Sequence, residues 1–246
     1  MKKRLVGALI AVLGVGAATS AQAVPLSSLL QGGGSVSAGD KLFSDWVVSH
    51  AVSVDGRTFD YSLIQVTALE EEGQDFGLEF ELGNQFIVNF SDGSGNGDAY
   101  VDFTFGFSVS TLDPGMRING AMLELGGASL GWSGGGEGPR DAGSFVVERI
   151  GSAQGHTDLV DAMRVEFSSL EKTFTEIDDD LASFSPASVI WIEKNIRVWA
   201  DVSGESAGLF GFAQRFSQTS SVPEPASLAL LGIGLFGLVA ARKRNS

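Results

Sequence analysis

The chain has 246 residues, 43% of them hydrophobic, no cysteine, and thirty Asp and Glu against sixteen Lys and Arg, for a formal charge of -14. The lack of cysteine excludes disulfide and thiolate redox chemistry, and the acidity argues against nucleic acid and anionic lipid surfaces, which would be repelled by such a field. Six of the basic residues lie in the two terminal segments, so the stretch from Val24 to Ala241 keeps ten basic against thirty acidic side chains, a formal charge of -20 suited to solubility, divalent cations or basic partners.

At the start, Lys2, Lys3 and Arg4 precede an apolar run from Leu5 to Ala18, and Ala21-Gln22-Ala23 places small residues where a signal peptidase reads. Residues 1–23 therefore read as a signal peptide, with the mature chain beginning at Val24. The stretch 24–216 is long enough for one domain with its own core and no covalent staples. Its pattern is extended. Strands are expected over Trp46 to Val54, Thr58 to Leu69, Gln85 to Phe90, Met116 to Leu125, Ser144 to Ile150, Met163 to Phe167 and Leu209 to Phe216. Phe76, Leu78, Phe80 and Leu82 share one face of a further strand, and Val101, Phe103, Phe105, Phe107 and Val109 one face of another. Ile190, Ile192, Ile196, Val198, Ala200 and Val202 form a late stripe that Lys194 interrupts, with Trp191 and Trp199 on the opposite face. Asp158 to Met163 and Asp178 to Phe184 read as short helical turns. Many short strands with Gly, Asn, Asp and Ser between them predict an all-β, jelly-roll-like β-sandwich rather than a barrel.

Candidate chemistry is sparse. Asp92, Ser94, Asn96 and Asp98 set oxygen ligands at alternate positions with Gly97 at the sixth, imitating the first half of a calcium loop; Phe103 at position twelve excludes an EF-hand. The competing reading is a solvated hairpin loop between Phe90 and Tyr100. Gly131-Trp132-Ser133-Gly134-Gly135 matches G-x-S-x-G, but the Gly-rich continuation to Pro139 cannot start the helix a nucleophile elbow needs, and a mobile loop is expected instead. Neither His50 nor His156 sits in a recognisable motif. Glu70 to Glu72 and Asp178 to Asp180 are acidic triplets that read as solvated faces or turns rather than a glycosidase pair. Trp191 and Trp199 are the expected sugar-stacking pair if carbohydrate is bound, against a packing role for all four tryptophans.

Ser217 to Val222 is small and polar, so residues 217–225 are expected to be a flexible spacer ending in Pro223-Glu224-Pro225. Residues 226–241 are uncharged and apolar, sixteen residues or roughly 24 Å of helix, slightly short for a bilayer but closed by Arg242, Lys243 and Arg244 in the basic tail 242–246. The positive-inside rule puts that tail in the cytoplasm and everything before Pro223 outside. Gly232 to Gly237 matches G-x-G-x-x-G, but no strand leads into it.

This order of Pro-Glu-Pro, membrane helix and basic end resembles the PEP-CTERM sorting tail. The resemblance implies an exported protein of Gram-negative type, processed near Pro223, Glu224 and Pro225 by an exosortase after signal peptidase has acted at Ala21 and Ala23. It implies transient residence in the inner membrane, then the cell surface or extracellular matrix. Gly39 to Ser44, Ser188 to Lys194 and Gln214 to Gln218 are similar to blocks that recur in one group of PEP-CTERM ectodomains, which extends the expectation of a β-rich matrix-associated protein to the whole domain. The reading is thus a non-enzymatic structural or interaction protein, associated with exopolysaccharide or biofilm matrix. The alternative is a calcium-assisted, lectin-like carbohydrate-binding module, and a third reading, an exported hydrolase, would need two converging acids in a cleft. No cofactor is expected beyond calcium at the Asp92 loop.

Overall fold

The computed structural model describes residues 22–70, 75–90, 99–133 and 138–220. Among them the chain is all-β, with short helical turns at Leu26–Leu29, Tyr61–Leu63 and Gly83–Phe86. The strands are β1 (Val24–Pro25), β2 (Val36–Ala38), β3 (Lys41–Ser53), β4 (Gln65–Leu69), β5 (Gly77–Glu81), β6 (Ile87–Asn89), β7 (Ala99–Thr111), β8 (Met116–Trp132), β9 (Asp141–Gly151), β10 (Val160–Leu170), β11 (Thr173–Ile177), β12 (Asp179–Ala187), β13 (Val189–Ala200) and β14 (Glu205–Ser220). They form two antiparallel sheets. The first runs β1-β4-β5-β14-β8-β12, with β6 also on β14; the second runs β11-β10-β9-β13-β7-β3-β2. Between β6 and β9, and again from β11 to β14, consecutive strands change sheet, so the two layers are stitched together repeatedly.

Period-2 alternation is what separates the two faces of each sheet. The inward residues of β7 are all buried, from Val101 through Val109. They meet Phe80 and Phe212 of the first sheet in a run of rings: Phe80 stacks on Phe212 at 4.7 Å, lies 5.5 Å from Phe105, and Trp46 stacks on Phe107 at 4.5 Å. Aromatic contacts of this kind add about 0.5–1.5 kcal/mol each beyond area burial. Trp46 faces inward because β3 is bulged. The register slips between Ser44 and Val47, Asp45 takes φ 56°, and the phase of the strand changes so that Phe43 and Trp46 are both buried.

Lys194 lies in the inward stripe of β13 and is fully buried. Its Nζ donates to Glu148 Oε2 on β9 and to Gln214 Oε1 on β14, spanning the two sheets, and sits 5.3 Å from the centre of the Phe212 ring. Lys41 repeats the device near the edge, donating to Asp40 at 3.1 Å and to Gln218 at 2.9 Å. The rings of Phe43 and Phe216 lie 6.0 Å apart beside it. The three blocks Gly39 to Ser44, Ser188 to Lys194 and Gln214 to Gln218 are therefore neighbours in the core, joined by these bonds.

Several expectations are corrected. Asp178 to Phe184 is not helical: β12 pairs with β8, and the carboxylate of Asp180 accepts the backbone N–H of Arg164 at 2.8 Å, tying the edges of the two sheets. The strand β10 begins at Val160, which replaces the turn expected over Asp158 to Met163. β8 continues through Gly131 and Trp132, paired with Ser206 and Glu205, so the first part of the glycine-rich stretch is sheet; residues 134–137 lie outside the described residues. β14 runs to Ser220, paired with Met116, so the first four residues of the expected spacer are strand, held by Lys41 on Gln218. The connection carrying Asp92 leads from β6 in the first sheet to β7 in the second, which makes it a crossover and not a hairpin.

Candidate groove on the outer face of the second sheet

The outward residues of β13 are Trp191, Glu193, Asn195, Arg197 and Trp199. β13 lies between β7 and β9, and antiparallel register aligns their outward residues in rows. Asp102, Arg197, Phe145 and Glu166 form one row across β7, β13, β9 and β10; Tyr100, Trp199, Gly143 and Ser168 form the next. Gly143 is required here. A Cβ at that position would lie 2.6 Å from Trp199 Cη2 and closer still to Ser168 Cβ, so its absence lets the indole lie across β9.

The result is a groove of about 340 Å³ bordered by Asp141, Phe145, Arg164, Glu166, Ser168, Leu170, Arg197, Trp199 and Asp201. Its polar groups are held by one another. Trp199 Nε1 donates to Asp141 Oδ1 at 3.0 Å, Arg164 Nε to Glu166 Oε2 at 2.7 Å, and Ser168 Oγ to Glu166 Oε1. Arg164 also lies over the Phe145 ring, 4.2 Å from its centre, a cation–π contact. Trp199 meets Phe145 at 5.8 Å with a tilt of 56°. One edge of the groove is set by Arg197, which is exposed and lies 5.6 Å from the Tyr100 ring. On its other side Asn195 Nδ2 donates to Asp102 Oδ1 at 2.8 Å and to Thr104 Oγ1 at 2.9 Å.

Trp191 and Trp199 do not form one platform. Eight residues of strand separate them by about 26 Å. Trp191 is only 7% exposed, its ring filling the space above Gly106 beside the bulged Asp45, whose carboxylate accepts from Ser108 Oγ at 2.6 Å. Trp199 is the half-buried member of the pair. Sequence reasoning missed Phe145, Arg164, Glu166 and Arg197. The signal for Arg197 was available in its alternation with Trp199; the others needed the strand register.

The perturbed titrations lie elsewhere. Burial pushes Glu148 up and Lys194 down, each toward its neutral form, in the closed interior. Asp55 is held far below the ordinary carboxylate range by Arg57, whose Nε and Nη2 both bond it, and Asp60 is lowered by its bonds from Ser62, the side chain first and then the backbone N–H. Glu70 accepts the backbone N–H of Gly39 at 2.9 Å, a local structural role. Among the described residues no three His, Asp or Glu side chains converge as a metal site. The expected calcium ligands Asp92, Ser94, Asn96 and Asp98 lie outside the described residues, as do Glu71, Glu72, Ala21, Pro223, Glu224, Pro225, Arg242, Lys243 and Arg244. Ala23 is exposed, immediately before β1. Among the described residues no helix is long and apolar enough to cross a membrane.

A family model, the PEP-CTERM protein-sorting motif, matches residues 221–244. The chain carries a PEP-CTERM sorting signal. That signal implies export through the secretion and sorting pathway to the cell surface, with processing by an exosortase. No curated protein matches this PEP-CTERM chain in sequence. Among solved structures it is similar to the carbohydrate-binding module TmCBM61 in complex with β-1,4-galactotriose, at 10% identity and TM-score 0.26, covering 71% of this chain and 90% of that one. It is also similar to the enzymatically active domain of tailspike protein 4 of bacteriophage CBA120, at 14% identity and TM-score 0.26, covering 72% of this chain but 19% of that one. The family GH12 endoglucanase 3 of Trichoderma harzianum is similar at 8% identity and TM-score 0.26, over 70% and 97% of the two chains. Likenesses at this score carry no inference about fold or ligand.

Proposed function

We propose that the exported β-sandwich is a non-enzymatic interaction protein of the cell surface or extracellular matrix, which binds polysaccharide through the outer face of its second sheet. In this reading the signal peptide ends at Ala23, and the apolar segment 226–241 holds the protein briefly in the inner membrane with Arg242, Lys243 and Arg244 in the cytoplasm. Cleavage near Pro223-Glu224-Pro225 then releases it to an exopolysaccharide layer.

The observation that carries the reading is the groove beside Trp199. It combines a half-buried indole, fixed by its bond to Asp141, with charged donors on a rigid sheet, and such convergence of an apolar face and placed polar groups is how small ligand sites are built. Glu166 there is paired with Arg164, an arrangement that suits holding a ligand more than transferring a proton. The test is retention of the exported, processed protein on a panel of immobilised polysaccharides, with Trp199→Ala as the comparison. Retention lost in the variant, with the melting temperature preserved, is the expected outcome; equal retention of both proteins, or none of either, refutes the reading.

A further inference from the structure

We infer that the groove selects a carboxylated sugar, with the guanidinium groups of Arg197 and Arg164 receiving a uronate carboxylate while Trp199 covers one face of the ring; this rests on the polysaccharide reading above and names its ligand class. The acids around the groove are already engaged. Asp102 Oδ1 is bonded by Asn195, Asp141 Oδ1 by Trp199, and both oxygens of Glu166 by Ser168 and Arg164. Arg197 makes no ion pair among the described residues even though Asp102, bonded by Asn195, is its direct cross-strand neighbour. Arg164 is committed only through Nε. Its two terminal nitrogens have no hydrogen-bond partner among the described residues, and its side chain is 42% exposed.

Both guanidinium groups border the groove, each against its own ring: Arg164 lies over Phe145 on β9, and Arg197 lies 5.6 Å from the centre of the Tyr100 ring on β7. Contact with an aromatic face, and in Arg164 the bond to Glu166, fixes each planar fork, which lowers the entropy lost when it binds; two parallel N–H donors then match the two oxygens of a carboxylate. A hydroxyl-only sugar would leave these forks unmatched. The groove volume, near the lower end of ligand pockets, suits a short stretch of glycan. The rest of the surface works against a polyanion, since the domain is strongly acidic. Recognition must therefore be made by contact at these two residues and not by a long-range attractive field.

The test uses the exported, processed protein and polygalacturonate as probe, beside the same polymer fully methyl-esterified and a sulfated dextran, in binding titrations near physiological salt. Expected is binding of polygalacturonate that weakens at least tenfold on esterification and by a similar factor in Arg197→Gln and in Arg164→Gln. Arg149→Gln, which removes a surface pair with Glu193 on the same sheet face, should bind as the parent does. Because Arg197 is exposed and makes no ion pair among the described residues, Arg197→Gln is expected to keep the parent melting temperature, so a loss of binding reports on the groove and not on folding. Equal affinity for the free and esterified polymers overturns the carboxylate assignment while leaving polysaccharide binding intact. Equal affinity for sulfated dextran, or an unchanged Arg197→Gln, likewise overturns it by reducing the effect to charge alone or placing it elsewhere. Failure to bind any polymer overturns both this assignment and the reading beneath it.

Discussion

Replacing Lys194 by Met separates the two roles that a buried cation can have. Lys194 and Glu148 are both fully enclosed, and among the described residues Glu148 Oε1 has no hydrogen-bond partner while Oε2 accepts from Lys194. Removing the ammonium takes away the two largest influences that offset burial of the carboxyl, a loss of about 3–5 kcal/mol. For a domain of this size, at about 2–4 °C per kcal/mol, the melting temperature should fall by roughly 6–20 °C at neutral pH. The loss should also depend on pH. Burial raises Glu148 above its ordinary value of 4.5, and the two largest opposing influences both come from Lys194. In the variant the folded carboxyl therefore holds its proton to still higher pH than in the parent. A group whose folded pKa is raised gives stability that is complete below the unfolded value and is lost as pH rises toward the folded one. Both proteins share this loss while both folded carboxyls stay protonated, so the gap should be smallest near pH 4 and widen only above the parent's own raised value, at up to about 1.4 kcal/mol per pH unit. Urea unfolding followed by tryptophan fluorescence from pH 4 to 8 measures this directly. Changing Glu148, Lys194 and Gln214 together to Leu, Met and Leu should restore most of the stability, because no polar group is then stranded. A Lys194→Met loss below about 1 kcal/mol at pH 7, with no widening anywhere between pH 4 and 8, refutes the reasoning.

Three further outcomes are expected. The β10–β11 hairpin turns through Glu171 at φ 48° and Lys172 at φ 67°, both left-handed as a two-residue hairpin prefers, so Glu171→Asn with Lys172→Gly should raise stability by about 1 kcal/mol in the same unfolding assay. Gly143→Ala places a methyl group inside Trp199 and Ser168; it should abolish polysaccharide retention, shift the tryptophan emission and cost about 1–3 kcal/mol of stability, since Ser168 Cβ cannot rotate away. Glu224→Ala in the sorting signal should leave an unprocessed precursor, read as a larger mass in the membrane fraction.

The strands most legible in the sequence are those whose alternation faces a core. β7 and β13 could be read almost residue by residue, since Val101 to Val109 and Ile190 to Ala200 alternate without a break in period. Lys194 looked like an interruption of that stripe; it is part of it, made tolerable by Glu148 and Gln214 from other strands that no local pattern connects to it. Edge strands were misread. β12 is half exposed and rich in Asp and Ser, so its local composition favours a turn, and only pairing with β8 makes it extended. β11, with Phe174 and Ile177 both exposed, carries no burial signal. The groove was half legible for a related reason. Trp199 stood out by residue type, whereas Phe145 and Arg164 become its neighbours through the β9–β13 and β9–β10 registers, which depend on contacts far apart along the chain.

The position of β14 ties completion of the fold to the neighbourhood of the sorting signal. It is an interior strand, flanked by β5 and β6 on one side and β8 on the other, and it contributes Phe212, Gln214 and Phe216 to the centre of the sandwich. Its final residue, Ser220, directly precedes the sorting signal. Until this last strand is in place, the first sheet has a gap in its middle. The domain therefore closes only with the strand that adjoins the sorting signal, so the core and the approach to that signal are completed by the same residues.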